Sequence, residues 1–193
     1  MSAADLVVLR PEGLYCPPGD FFIDPHRPVP RAVVTHAHAD HARAGHGRVL
    51  ATAVSEGVLR HRLGAGLPMQ GVAYGEVVEH RGVRISLHPA GHVLGSAQVR
   101  LEHRGQVWVA SGDYFHSGAG DGNLTCEPFE PVRCDCFITE STFGLPIYRW
   151  RAHADVMRDV NAWWAANAAT GRSAVRWSGG RRAGSRRAVV WAA

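Results

Sequence analysis

The chain has 193 residues, of which 46% are apolar and 20% charged, and its formal net charge is +4. This length supports one domain with a sizeable core, and no apolar run reaches the roughly 18–20 residues that span a membrane. The first residues lack the apolar core of a secretory signal, and four cysteines are too few for a disulfide scaffold, so we expect a soluble, cytoplasmic protein without a membrane partner.

The positive charge is concentrated at the carboxyl end. All 21 basic residues are arginine, and six of them lie in residues 160–193, which contain no acidic residue. The rest of the chain is close to neutral and gives no independent sign of nucleic-acid binding. Residues 171–193 mix arginine, glycine, serine and alanine without a period, so we expect a basic tail that is either disordered or the product of a shifted or truncated reading frame, which we favour.

Short apolar runs and turn residues predict an α+β fold. Two hairpins are predicted around Arg81-Gly82 and Arg104-Gly105, because glycine accepts the positive φ of a tight turn. The predicted strands are Phe21–Asp24, Ala32–Thr35, Val49–Ala51, Glu76–His80, Val83–His88, Ala97–His103, Gln106–Ala110 and Cys136–Thr139. Helices are predicted over Ala53–Leu63, ended by Gly64, and over Ala152–Ala169, where apolar residues recur at helical spacing and Trp163 and Trp164 are expected to pack.

The segment Thr35-His36-Ala37-His38-Ala39-Asp40-His41 carries the strongest chemical signal. It places three imidazoles and a carboxylate directly after an apolar strand, and these groups are the ligands of hydrolytic zinc. In an extended segment His36, His38 and Asp40 point to one side, and a turn would bring His41 round. One metal could therefore use the first two histidines, and a second could use Asp40 and His41.

Two later residues are candidates for the remaining ligands. His92 follows a predicted strand in a glycine-containing segment, and Asp113 follows another in Ser111-Gly112-Asp113. A carboxylate can bridge two metals about 3.5–4 Å apart, which is the spacing of two-metal hydrolases. Each residue alone would pass as an ordinary loop residue, but with the histidine cluster they complete a pattern.

This pattern resembles the metallo-β-lactamase superfamily, of which Thr35–His41 is the most specific signature. The resemblance implies an αββα sandwich with a two-zinc site at one edge of its sheets, and it implies that Asp24 supports the ligand loop. The segments around His92 and over Ile138–Gly144 are similar to the β-CASP branch of nucleic-acid hydrolases, with Glu140 on that branch's acidic motif.

The run from Phe129 to Trp150 is similar to the ligase-associated DNA exonucleases, which are relatives of messenger-RNA 3′-end processing nucleases. The likeness covers roughly residues 10–170 and implies a nucleic-acid substrate, with DNA favoured over RNA, and an ATP-dependent DNA ligase and a helicase as partners. It implies that His36, His38 and His92 hold one zinc, that Asp40 and His41 hold the other, and that Asp113 bridges them. Asp40 would also hold the attacking water, and Glu140 would orient a ligand histidine or water.

The chain departs from the β-CASP pattern after Glu140, where an inserted domain with two further histidines is expected. We therefore expect residues 1–170 to form the amino-terminal part of a metallo-β-lactamase-like domain that is incomplete at its carboxyl end. Its second zinc site would lack a ligand, and its nuclease activity would be impaired. The alternatives are a small-substrate hydrolase of lactamase or thioesterase type, and a non-catalytic remnant whose basic tail binds nucleic acid.

Overall fold

A computed structural model describes residues 5–116, 125–149 and 151–168. They divide into two compact units, one within Met1–Leu145 and one within Pro146–Ala193. The predicted basic tail, residues 171–193, lies outside the described residues. None of the helices in the described ranges is long and apolar enough to cross a membrane.

The described residues of the first unit form eleven strands and one α-helix, which confirms the α+β class. The strands are β1 (Val8–Arg10), β2 (Gly13–Cys16), β3 (Phe21–Ile23), β4 (Ala32–Val33), β5 (Val49–Thr52), β6 (Met69–Val72), β7 (Val77–His80), β8 (Val83–Pro89), β9 (Ala97–His103), β10 (Gln106–Ala110) and β11 (Cys136–Ile138). A 3₁₀ turn over Ala53–Ser55 leads into α1 (Glu56–Leu63), and Gly64 ends the helix as predicted.

The strands form two sheets. The first sheet has the order β1-β2-β3-β4-β5-β6, and its strands β3 to β6 are parallel. The second has the order β11-β10-β9-β8-β7, in which β7 to β10 alternate in direction and β11 runs parallel to β10. Strands β8, β10 and β11 therefore run in the same direction, and the residues that follow them meet at one edge of the sheet.

Apolar side chains fill two layers. The larger core lies between the sheets, where Ile23 and Val33 of the first sheet join Leu87, Val99 and other residues of the second. A smaller core packs the outer face of the first sheet against α1 through Leu59, which is fully buried. Sheet-on-sheet packing with a helix outside accounts for three layers of the expected sandwich.

Both predicted hairpins are present, and both residues of each two-residue turn have positive φ. In each turn the arginine as well as the glycine has positive φ, at 49° and 76° for Arg81-Gly82 and at 50° and 79° for Arg104-Gly105. Two consecutive positive φ values are the mark of a type I′ turn, whose twist matches that of the flanking strands. The turn geometry thus fixes the register of the β7–β8 and β9–β10 pairs.

The second unit contains α2 (His153–Ala168), close to the predicted helix. The expected packing of its aromatic pair is not seen among the described residues, because Trp163 is 42% exposed and Trp164 58%. No described residue of α2 is buried. Periodicity therefore predicted the helix correctly. The described residues of this unit do not cover its apolar side chains.

Candidate metal centre

Five polar segments, each of which directly follows a strand or lies a few residues beyond it, converge at one edge of the first unit. Asp24 follows β3, Thr35–His41 follow β4, His92 follows β8, Asp113 follows β10 and Glu140 follows β11. The two sheets are joined at this edge, since the backbone N–H of Ala97 donates to the Thr35 carbonyl at 2.9 Å. The direction of the strands and this contact between the sheets therefore bring the polar segments together.

Glycines allow the loops at this edge to approach one another closely. A Cβ on Gly112 would lie 2.8 Å from the Thr35 side chain, and a Cβ on Gly91 would lie 2.4 Å from the Phe115 carbonyl oxygen. Both glycines also have positive φ, at 57° and 73°. Any other residue would be strained at these positions and would push the loops that carry Asp113 and His92 away from the histidine-rich segment.

Four donor groups form a tight cluster: His36, His38, His92 and Asp113 each present one ligand atom within 4.8 Å of the others. His38 Nδ1 lies 3.0 Å from His36 Nε2 and 3.2 Å from His92 Nε2. Asp113 Oδ2 lies 3.9 Å from His36 Nε2 and 3.8 Å from His92 Nε2. Three imidazole nitrogens and a carboxylate oxygen thus face a common point.

A second set of donors lies on the other side of Asp113. Its Oδ1 is 3.2 Å from His41 Nε2, while its Oδ2 faces the first cluster. Asp40 Oδ2 is 3.7 Å from the same His41 nitrogen, and the Asp40 side chain is 75% exposed. The two oxygens of Asp113 are therefore divided between two groups of donors.

Asp24 organises both groups through hydrogen bonds. Its Oδ1 accepts from the Thr35 backbone N–H at 2.8 Å, and its Oδ2 accepts from the Thr35 hydroxyl at 2.5 Å. His41 Nδ1 is 2.7 Å from the same Oδ2. An ionised carboxylate can only accept hydrogen bonds, so His41 donates from Nδ1 and turns Nε2 toward Asp113.

The Thr35 hydroxyl fixes the tautomer of His36 in the same way. It lies 3.0 Å from His36 Nδ1, and its one hydrogen is already directed to Asp24. His36 therefore donates from Nδ1, which leaves the lone pair of Nε2 facing the donor cluster. Such a hydrogen bond to the far nitrogen is the usual support of a metal-binding imidazole.

Burial sets the charge of these histidines. Burial and the neighbouring imidazoles lower the pKa of His36 to about 2, and burial together with His38 lowers the pKa of His92. Burial would also lower the pKa of His41, but its hydrogen bond and charge interaction with Asp24, with help from Asp113 and Asp40, raise it above the usual value. His36 and His92 are thus neutral near pH 7, as metal ligands must be.

Glu140 supports the loop that carries Asp113. Its carboxylate accepts from the backbone N–H of Tyr114 at 3.3 Å and of Thr142 at 3.1 Å. Burial would raise the pKa of Glu140, yet the hydrogen bonds from Thr142 and Tyr114 and the nearby His92 hold it below the usual value. The ionised side chain therefore ties the end of β11 to the residue after Asp113.

Sequence patterns missed two supporting residues. Thr35 lies in the signature segment but was assigned only to a strand, although its hydroxyl links Asp24 to His36. Ser96 Oγ accepts from the backbone N–H groups of His92 and Val93, at 3.1 and 3.2 Å, and so shapes the His92 loop. A hydroxyl next to a ligand or four residues beyond it is the signal that could have identified both.

The donor set fits zinc by chemistry and by spacing. Zinc in proteins takes imidazole nitrogen and carboxylate oxygen in tetrahedral geometry, with bonds of about 2.0–2.2 Å, so neighbouring ligand atoms lie about 3.3 Å apart. The nitrogens of His36, His38 and His92 are separated by 3.0–3.2 Å along the contacts given above. The residues present can therefore hold such an ion.

The chain is similar in sequence to several known proteins. The chain is 34% identical over 152 residues, or 77% of its length, to a protein of Opitutus terrae named "Probable DNA ligase". It is 36% identical over 80 residues to cleavage and polyadenylation specificity factor subunit 3 of Dictyostelium discoideum, and 32% identical over 84 residues to the endoribonuclease YSH1 of Saccharomyces cerevisiae. These matches cover 42% and 44% of the chain.

The chain is related to the β-CASP nucleases of the metallo-β-lactamase superfamily. It spans 14% of the length of the Opitutus protein and 10% of each of the two RNA-processing relatives. No family model matches the chain. This relationship agrees with the resemblance found in the sequence. The aligned region is only a part of each relative's chain.

Proposed function

We propose that the chain forms the metal centre of a phosphodiester hydrolase that acts on nucleic acid, with DNA as the favoured substrate. The observation that carries the proposal is the position of Asp113, whose two carboxylate oxygens face two separate donor sets. Two-metal hydrolases use a carboxylate in this position, because two cations a few ångströms apart can stabilise both oxygens of an in-line displacement.

In this proposal His36, His38 and His92 would hold one zinc ion, Asp40 and His41 would hold a second, and Asp113 would contribute to both sites. Zinc supplies Lewis acidity, which makes water a better nucleophile near neutral pH and offsets the negative charge of a phosphate. The first set offers three imidazoles, whereas the described residues of the second offer one imidazole and two carboxylates. We therefore propose that the first site is the tighter one.

The protein's own groups have distinct roles in this mechanism. Asp40, which is exposed beside the donor sets, orients the attacking water and can accept its proton at Oδ2. Asp24 holds His41 and, through Thr35, His36 in the tautomers that ligation requires. Glu140 is a positioning residue, because it acts on the Asp113 loop through the backbone of Tyr114.

The substrate class and partner rest on the relatives. The printed names include a DNA ligase and an endoribonuclease, so both nucleic acids are represented. The match to the ligase-named protein covers the larger part of this chain, which favours DNA and action beside a DNA ligase. A helicase as a further partner, and a cytoplasmic location, remain part of the same proposal.

Replacement of the bridging carboxylate tests the proposal. We expect Asp113→Asn to lose bound zinc, measured by mass spectrometry, and to cut labelled DNA and RNA strands about 100-fold more slowly, because a preorganised charge is removed. Asp5→Asn, which alters an exposed carboxylate before β1, is the matched control and should change neither quantity.

Two outcomes would contradict the proposal. In the first, Asp113→Asn keeps its zinc and cuts nucleic acid at the wild-type rate. In the second, the zinc-loaded wild type leaves DNA and RNA intact but opens a chromogenic lactam or a thioester, which would assign a small-substrate hydrolase instead.

A further inference from the structure

The edge of the sandwich opposite the metal centre contains a cavity of about 720 Å³. It lies where the parallel strands β4, β5 and β6 begin, and it is bounded across the gap by β7 and the start of β8. The metal-centre residues follow the other ends of β3, β4, β8, β10 and β11 and do not line it. The volume is within the range of about 300–1,000 Å³ that is typical of small-molecule sites.

The inner wall of this cavity is apolar. Phe21, Val33 and Leu50 contribute from the first sheet, and Val78 and Ile85 contribute from the second. All five belong to the core between the sheets or pack against it. A ligand that enters the cavity would therefore place its apolar part against the core of the protein, where removal from water is favourable.

The mouth of the cavity carries an excess of positive charge. Side chains alternate along a strand, so Arg31 shares the inward face of Val33, and Arg48 shares that of Leu50. Asp20 is shared between Arg31, at 3.2 Å, and Arg81, at 3.0 Å. Within the described ranges Arg48 makes no ion pair, and one cation at the mouth is thus left without a counter-charge.

His80 also lies at this cavity, beside the charged groups. It lines the cavity, and its Nε2 is buried yet has no hydrogen-bond partner among the described residues. Burial, with help from Arg31 and Arg81, lowers the pKa of His80, so the ring is neutral near pH 7 and the positive charge at the mouth comes from arginine alone.

We propose that this cavity binds a small organic anion with an apolar body, such as an aryl sulfonate or a medium-chain carboxylate. The apolar body lies between Leu50 and Val78, and the anionic group meets Arg48. Glu79 also lies at the mouth, where its carboxylate is 3.9 Å from the Arg84 guanidinium. This acid disfavours dianions and leaves a single negative charge as the best match.

A pair of fluorescent probes with the same ring system tests the proposal. 8-Anilinonaphthalene-1-sulfonate has the apolar body and one negative charge, and N-phenyl-1-naphthylamine has the body without the charge. We expect the sulfonate to bind the full chain saturably, with one molecule per chain and more tightly than the neutral probe. Near-ultraviolet circular dichroism confirms that the protein stays folded during the titration.

Two variants separate the charge from the cavity. Arg48→Gln should raise the dissociation constant of the sulfonate at least fivefold and leave that of the neutral probe unchanged. Val78→Phe should weaken both probes, because the larger ring occupies the cavity. Arg43→Gln, which alters another exposed arginine outside the cavity, is the matched control and should change neither.

The proposal is overturned if the sulfonate fails to saturate on the wild type, or if Arg48→Gln binds it as well as the wild type does. Should Val78→Phe prove unfolded, the ratio of the two dissociation constants in Arg48→Gln still decides the question. None of these measurements depends on the metal centre, so the cavity can be judged apart from the hydrolase.

Discussion

The Thr35 hydroxyl links Asp24 to His36, the first candidate metal ligand, and Thr35→Val removes this link. Valine has nearly the shape of threonine, so the variant deletes two hydrogen bonds while it fills the same space. The site is suited to this test because Thr35 and His36 are each 1% exposed. Water therefore cannot replace the missing hydroxyl.

The expected loss can be assembled from the contacts. The bond at 2.5 Å goes to an ionised carboxylate, and a hydrogen bond of that kind contributes about 1.5–3 kcal/mol. His36 Nδ1 would also lose its acceptor at 3.0 Å, and a buried polar atom without a partner costs about 1–3 kcal/mol. The two losses share one hydroxyl and do not simply add, so we expect the free energy of unfolding to fall by about 2–4 kcal/mol.

Zinc affinity should fall as well, by about 10–100-fold, because the partner that orients a ligand imidazole is gone. Denaturant titration of the metal-free protein gives the first quantity, and competition with a chromophoric chelator gives the second. Thr35→Ser retains the hydroxyl and should keep zinc affinity close to that of the wild type. If Thr35→Val binds zinc as tightly as Thr35→Ser does, the hydroxyl does not position His36.

Three further changes follow from the same structure. Gly112→Ala should lower the free energy of unfolding by about 1–3 kcal/mol, as measured by denaturant titration. The alanine would have a φ of 57°, and its Cβ would lie 2.8 Å from the Thr35 side chain. An unchanged unfolding transition would contradict the close approach of Gly112 to Thr35. Burial lowers the pKa of His46 and its Nδ1 accepts from the Val29 N–H, so the folded state holds it neutral while the unfolded chain takes up a proton below about pH 6.5. Stability should therefore be lost as the pH falls through 6.5, by at most about 1.4 kcal/mol per pH unit from this residue, and His46→Gln should show a shallower profile in urea titrations at several pH values. Burial raises the pKa of the Cys16 thiol to about 11. Iodoacetamide at pH 8 should therefore label Cys16 only after denaturation, as judged by peptide mass spectrometry. Labelling of the folded protein at the same rate would be inconsistent with the burial of Cys16.

Much of the fold was predictable because its signals are local. The hairpins at Arg81-Gly82 and Arg104-Gly105 combine alternating apolar residues with a two-residue turn, and both are present in the structure. Strands β1, β2 and β6 were not predicted. They are three or four residues long, and β6 contains Gln70 and Gly71, so their pairing depends on neighbouring strands rather than on their own composition.

The candidate site was predictable to the extent that residue type carries the chemistry. His36, His38, His92 and Asp113 were selected as donors from their types and from the strands they follow, and the structure brings these four together. The division of the Asp113 oxygens and the hydrogen bonding of Thr35 were not predictable, because both depend on distances between loops from different sheets. A role for Glu140 beside a ligand was expected, but its backbone partners could be found only from coordinates.

The donors of the metal centre come from both halves of the sandwich. His36, His38 and His41 belong to the first sheet's loops, whereas His92 and Asp113 belong to the second's. An ion held between them would act as a cross-link, since the sheets could not part without breaking its bonds. At a free zinc concentration 100 times the dissociation constant, this linkage stabilises the native state by about 2.7 kcal/mol. The stability of the sandwich would then depend on the same donor atoms as the metal site, and removal of the metal would weaken the contact between the two sheets.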